Sequence, residues 1–164
     1  MSFSQVVTSL KGLFHWVSNV DASVEQAVTY RRVFAHKLTA DGAAGDELAE
    51  VPVYIDSRCT AQIMSVRFVP ADALTAHNTN YKTITVSSRT SAGASATTVA
   101  SVNTKTSGGG GTGDWTAFSP VTVTLTAANA ILPAGGMLTV KYLKSGNGVV
   151  IPAGVFVVEY KEIA

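Results

Sequence analysis

The clearest chemical pattern in the chain is SGGGGTGDW at 107–115, where Gly108, Gly110 and Gly113 satisfy G-x-G-x-x-G. In a dinucleotide-binding unit such glycines lie between a strand and a helix, because the helix N-terminus and its free N–H groups hold the pyrophosphate. Here the glycines lead through Asp114 and Trp115 into FSPVTVTLT, which alternates as a strand does. A Walker-type loop needs Lys followed by Ser or Thr after its last glycine, to reach the terminal phosphates and magnesium. Asp114 stands at that point and would repel phosphate. The stretch therefore reads as a mobile connection between the fifth and sixth strands, with glycines free of side-chain restriction. Trp115 is expected to anchor its exit, with the indole packed against the sheet edge.

Other chemistry-bearing residues form no recognisable set. His15, His36 and His77 are scattered, and Cys59 offers no partner at zinc-ligand spacing. No G-x-S-x-G elbow is present, and nothing around Cys59 marks a nucleophile, so this thiol is expected to be a small buried apolar residue. DGAAGDELAE at 41–50 gathers Asp41, Asp46, Glu47 and Glu50 but lacks the D-x-[DN]-x-[DN]-G order of a calcium loop, and reads as a solvated turn. The remaining acids fall mostly in apparent loops, which leaves no carboxylate pair to nominate for glycoside hydrolysis. The expectation is a protein with no catalytic residues, cofactor or metal.

The positioning elements follow from composition and pattern. A chain of 164 residues suits one domain with at most an added arm. Hydrophobic residues make up 46% and charged residues only 14%, against roughly 25% charged in ordinary soluble domains. Such a surface must be covered by Ser, Thr, Asn and Gly, or partly hidden against a partner. The formal net charge of +1 and the lack of a basic run beyond Arg31-Arg32 argue against nucleic-acid binding. No apolar run approaches the roughly 20 residues that span a bilayer, and the first residues lack the charged-then-apolar order of a secretory signal. A reducing cytoplasm is the expected place of synthesis, and a single cysteine leaves packing to hold the fold.

Short alternating runs punctuated by Gly, Pro, Asn and Asp predict an all-β, jelly-roll-like sandwich of about eight antiparallel strands. The expected strands are 27–38, 48–56, 60–69, 81–90, 96–106, 121–126, 137–144 and 149–160. In VTVTLT, Val121, Val123 and Leu125 take one face and Thr122, Thr124 and Thr126 the other. Met64, Val66 and Phe68 are expected inward, opposite Ser65 and Arg67; Leu138, Val140 and Tyr142 inward, opposite Thr139 and Lys141. In the fourth strand Ile84 and Val86 are placed inward and Lys82 outward. Ser145-Gly146-Asn147-Gly148 can supply positive-φ residues for a tight hairpin between the last two strands.

Residues 1–24 differ in character from the sandwich domain assigned to 25–164. Val6, Leu10, Leu13, Phe14 and Val17 recur at helical spacing, although Gly12 interrupts them and Trp16 falls off the stripe. The segment reads as a short amphipathic helix or apolar arm, packed on its own sandwich or docked into another subunit or protein. Val6, Leu10, Leu13, Phe14, Trp16 and Val17 are its candidate partner contacts.

Three stretches carry a resemblance. PADALTAHNTNYKTITVSSRT at 70–90 holds the pattern A-L-T-x-x-x-T-N-Y-x-T-I-x-V; GTGDW follows at 111–115; and G-x-G-V-V-I-P-A follows at 146–153. Together they resemble a β-sandwich module of tailed-bacteriophage virion proteins, the capsid decoration (cement) and head-fibre group. The resemblance implies a structural protein without enzymatic activity, located on the outer capsid surface. It also implies a bound major capsid protein as partner and self-association as a homotrimer; that neither nucleic acid nor membrane is a partner is expected from the charge and the short apolar runs. It carries no active-site residues to transfer, and the arm lies outside the matched part. Two other readings remain at this point: a virion-surface lectin stacking sugars on Tyr54, Tyr81 and Trp115, or a neck or tail component of the same particle.

Overall fold

The computed structural model describes residues 31–55, 59–94 and 96–163. The six candidate contacts of the N-terminal segment and the 24/25 domain boundary lie outside them. Within them the chain forms β1 (Arg31–Leu38), β2 (Leu48–Ile55), β3 (Thr60–Pro70), β4 (Tyr81–Arg89), β5 (Thr97–Asn103) and β6 (Val121–Leu125). A 3-10 turn at Ala127–Asn129 precedes β7 (Ile131–Leu132), β8 (Met137–Ser145) and β9 (Gly154–Ile163). The β-branched and aromatic residues that fill these runs suit a pleated, half-buried surface.

The strands hydrogen-bond in the order β1-β9-β3-β6-β5-β4-β8-β2, and short β7 pairs separately with β3. Every strand pair among the described residues is antiparallel. One sheet is β1-β9-β3-β6 and the other β5-β4-β8-β2, with β6 joining them through Ala100↔Leu125 and Ser101↔Thr124. This nesting, first strand beside last and second beside the one before it, is the double Greek key of a jelly roll. The expected all-β, jelly-roll-like sandwich is the fold observed.

The core is built from the inward faces. Val66, Phe68, Ile84, Val86, Val123, Leu138, Val140 and Phe156 are fully buried. Each such side chain contributes about 1.5–3 kcal/mol relative to exposure. A Cβ at Gly154 would run into the Phe68 ring and the Val69 carbonyl, so the start of β9 can approach β3 this closely only with glycine there.

Three expectations about faces and connections need correction. Lys82 points inward and is fully buried, on the same face as Ile84 and Val86. Strand alternation requires this, since positions 82, 84 and 86 share parity. In β3 a bulge between Ile63 and Ser65 shifts the register, so Ile63 takes a buried place and Met64 is only half-buried. The last two strands form no hairpin: β8 pairs with β4 and β2, whereas β9 pairs with β1 and β3. The turn at 145–148 exists, with Gly146 and Gly148 at φ 58 and 68. Residues 149–153 then cross from one sheet to the other. Their apolarity reflects covering the end of the core, where Ile151 and Pro152 are buried, and not a strand.

Candidate functional site

The jelly-roll order brings four connections to one end of the sandwich: 39–47, 71–80, 104–120 and 146–153. They carry the first half of the 70–90 stretch, whose remainder forms β4, and the whole of 111–115 and 146–153. Leu74 and Trp115 form a two-way backbone bridge, with Leu74 N–H donating to the Trp115 carbonyl at 3.1 Å and Trp115 N–H to that of Leu74 at 2.8 Å. Asp114 Oδ1 accepts the Ala76 N–H at 2.8 Å. The Asn80 side-chain oxygen accepts the Asn147 N–H at 2.9 Å, and that of Asn78 accepts the Ser107 N–H at 3.3 Å. His77 Nδ1 accepts N–H groups from Thr79 and Asn80, at 3.1 and 3.0 Å.

Trp115 closes this clasp. It is buried, its ring lies 5.7 Å from that of Phe68, and its Nε1–H donates to Thr112 Oγ1 at 2.7 Å. The indole anchors the loop exit as expected, but it does so in the core against Phe68 of the interior strand β3 and not at a sheet edge. The same burial removes it from any sugar-stacking platform. Tyr81 is half-buried, with Lys105 Nζ 4.4 Å from its ring centroid. A hydrogen bond from Ser145 lowers the Tyr81 phenol below the ordinary tyrosine pKa, and the Lys105 charge acts in the same direction. The side chain of Tyr54 lies outside the described residues.

The glycine loop is tied down along its length. Gly108, Gly109, Gly110 and Gly113 all have positive φ, which is why glycine is needed there. Gly113 N–H donates to the Lys105 carbonyl at 2.9 Å, Asn103 Nδ2 to that of Gly109 at 2.6 Å, and Thr112 Oγ1 to that of Asn103 at 3.2 Å. The loop is thus fastened to the end of β5, and a strand, β6, follows where a phosphate site would need a helix. An open groove of about 440 Å³ runs beside it, lined among others by Gly110, Asp114, Thr116, Pro120 and Thr124. Between the lining residues Thr116 and Ser119 the chain carries Phe118, 76% exposed and held at φ 61, with its N–H bonded to the Pro70 carbonyl at 2.8 Å. A non-glycine residue in this conformation is strained, and an exposed phenyl ring at that point is the feature that pattern reading missed. The signal available in sequence was a large aromatic between turn-forming residues in TAFSP.

Beneath the clasp lies a charged pair. Lys82 Nζ meets Asp41 Oδ2 at 2.5 Å, with side chains 0% and 7% exposed. The same Oδ2 accepts the Ile151 N–H at 2.9 Å, and Asp41 N–H donates to the Ile151 carbonyl at 3.0 Å. Tyr142, paired across the strands with Ile84, buries a hydroxyl that has no hydrogen-bond partner among the described residues. Burial raises its pKa, and the Asp41 charge raises it further.

The other acids of 41–50 go to separate partners. Asp46 Oδ2 accepts the Ala43 N–H, and Glu47 Oε1 that of Lys144. Glu50 binds Arg89 and Thr139 on the outer face of the β4–β8–β2 sheet. No group of three potential metal ligands occurs among the described residues. His36 stacks on Phe34 at 6.3 Å, remote in sequence from His77 and in a different element. Cys59 is exposed, contrary to expectation: it sits at the mouth of β3, one residue before the strand's alternation begins.

No protein-family model matches the chain, and no curated protein matches it. Solved structures similar to it include the VP2 subviral particle of infectious bursal disease virus, at 13% identity and TM-score 0.38, covering 82% of this chain and 38% of that one. The Gx strain of the same virus matches at 12% identity and TM-score 0.35, covering 82% and 37%. These neighbours are viral capsid proteins. The chain spans little more than a third of the length of each.

Proposed function

We propose that the chain is a structural, non-enzymatic component of a phage virion that decorates the capsid and stabilises it by binding the major capsid protein. The observation that carries this reading is the convergence of the three phage-like stretches on one clasp. Leu74 bonds with Trp115, Ala76 with Asp114 and Asn80 with Asn147, so the residues that carry the resemblance are hydrogen-bonded into one loop end. A stiff sandwich with few charges suits a coat subunit, in which repeated weak contacts add through avidity. Phe118, projecting from that end in a fixed backbone conformation, is the described side chain best placed to enter a partner surface. The apolar residues Val6, Leu10, Leu13, Phe14, Trp16 and Val17 are a second proposed contact, and a homotrimer on the outer shell is the proposed assembly.

The test is imaging of intact particles carrying a labelled copy of this chain. Label over the head shell is the expected result. Label at the neck or tail would move the protein to that location, and unlabelled particles would overturn the reading. In the same assay Phe118→Ser should lower occupancy by about tenfold, the loss of one well-packed anchor of 1–2 kcal/mol. Removing residues 1–24 separates the two contacts: unchanged occupancy after that truncation would eliminate the arm.

A further inference from the structure

We propose that Lys82 and Asp41 become joined by an intramolecular isopeptide bond between Lys82 Nζ and the Asp41 side-chain carbonyl. The geometry on which this rests is unusual for an ion pair. The amine and carboxylate are in contact at 2.5 Å and shielded from water, on the same inward face as Ile84 and Val86. Two opposite charges in such a place are poorly compensated for their lost hydration. Proton transfer from the ammonium to the carboxylate turns the pair into an amine and a carboxylic acid, and that neutral pair is the reactive one.

The step balances without any further reactant. The Nζ lone pair attacks Asp41 Cγ, the Nζ–Cγ bond forms, and the Cγ–Oδ1 bond breaks. Across the whole step the ammonium gives up two protons, which leave with Oδ1 as one water molecule. The product is a neutral secondary amide. Oδ2 stays as its carbonyl oxygen and is already held by the Ile151 N–H at 2.9 Å, a donor aimed at the oxygen on which negative charge develops. Tyr142 supplies the remaining element. Its hydroxyl is buried and has no hydrogen-bond partner among the described residues, and burial keeps it protonated, so it can turn to donate to the departing oxygen. The two reacting groups lie 41 residues apart in sequence, and the fold alone holds them in contact, which removes the entropic cost of their meeting.

The consequence is a covalent staple from the 39–47 connection, three residues past the end of β1, to β4. Such a link does for this chain what a disulfide cannot, since Cys59 has no second cysteine to pair with.

The test is the mass of the full-length protein under denaturing conditions, followed by peptide mapping. The expected result is a mass lower than that of the linear chain by one water, with a branched peptide joining Lys82 to Asp41. A mass equal to that of the linear chain overturns the proposal. So does a water loss without the branched peptide, because Asp41-Gly42 can close to a cyclic imide with the same deficit while leaving Lys82 open to trypsin. In a pulse-labelled time course, Tyr142→Phe keeps the ring and removes the proton. It should raise the uncrosslinked fraction at early times, and a fraction equal to the parent's would overturn the role of the tyrosine.

Discussion

Two ion pairs link β4 to the segment around β2, and they differ in nearly everything except sign. Lys82 and Arg89 lie seven positions apart on one strand, an odd interval, so they leave it on opposite faces. Lys82 meets Asp41 inside, at 0% and 7% exposure; Arg89 meets Glu50 outside, at 26% and 24%. The outer pair is a two-pronged contact, Arg89 Nε to Glu50 Oε1 at 2.8 Å with Nη2 on Oε2, and Nη1 on the Gly93 carbonyl at 2.8 Å. Water still reaches it and screens its charges. The inner pair is held by the Ile151 N–H in a low-dielectric interior. Removing one partner should therefore matter far more inside than outside, although the outer contact has the better hydrogen-bond geometry.

Lys82→Met tests that contrast most severely. It strands a buried Asp41 carboxylate and should cost about 3–5 kcal/mol in urea unfolding, whereas Arg89→Met should cause only a small loss. Adding Asp41→Asn removes the stranded charge and keeps an acceptor for the Ile151 N–H. The double variant should recover much of the loss if the pair is only ionic. It should stay well below the parent if the two residues are covalently joined. Equal costs for Lys82→Met and Arg89→Met would undo the distinction between the pairs.

The next largest effect belongs to the clasp. Trp115→Ala removes a buried indole packed on Phe68, which itself lies 5.0 Å from Phe156. A cost of about 3–4 kcal/mol is expected, read as a lowered unfolding midpoint. A value typical of an exposed site would mean that the backbone bridge to Leu74 holds the loop end without the ring.

These two sites also mark where the sequence could be read and where it could not. Alternation placed β2, β4, β6 and β8 within a residue or so, because one face of each strand must be apolar and the pattern is local. The same alternation also contained the burial of Lys82, but the residue's charge outweighed its parity. Its partner sits 41 positions away, and nothing nearby in sequence announces it. The crossing at 149–153 looked like a strand since covering a core end and lining a sheet both demand apolar residues. Trp115 was legible as an anchor because a lone Trp after a glycine run has few other uses. Phe118 was not, because its prominence comes from a backbone angle that only the folded loop reveals.

The smallest effect tests the outer pair by pH. Hydrogen bonds from Arg89, and then Thr139, lower the Glu50 pKa from 4.5 to about 2 against the opposing effect of burial. The folded state thus holds the ionised carboxylate more tightly than the unfolded chain does. That contribution is complete above pH 4.5 and fades as pH falls through the window from 4.5 to about 2, where the folded carboxyl takes up its proton. Because the pair is partly solvated, its size at neutral pH should be about 0.5–1 kcal/mol. The Glu50→Gln variant lacks the titration, so the stability difference between parent and variant should be about this size at pH 7 and shrink towards zero near pH 2. Paired unfolding curves across that range check it, and a gap that stays constant with pH would show that Glu50 acts through hydrogen-bond shape and not through charge.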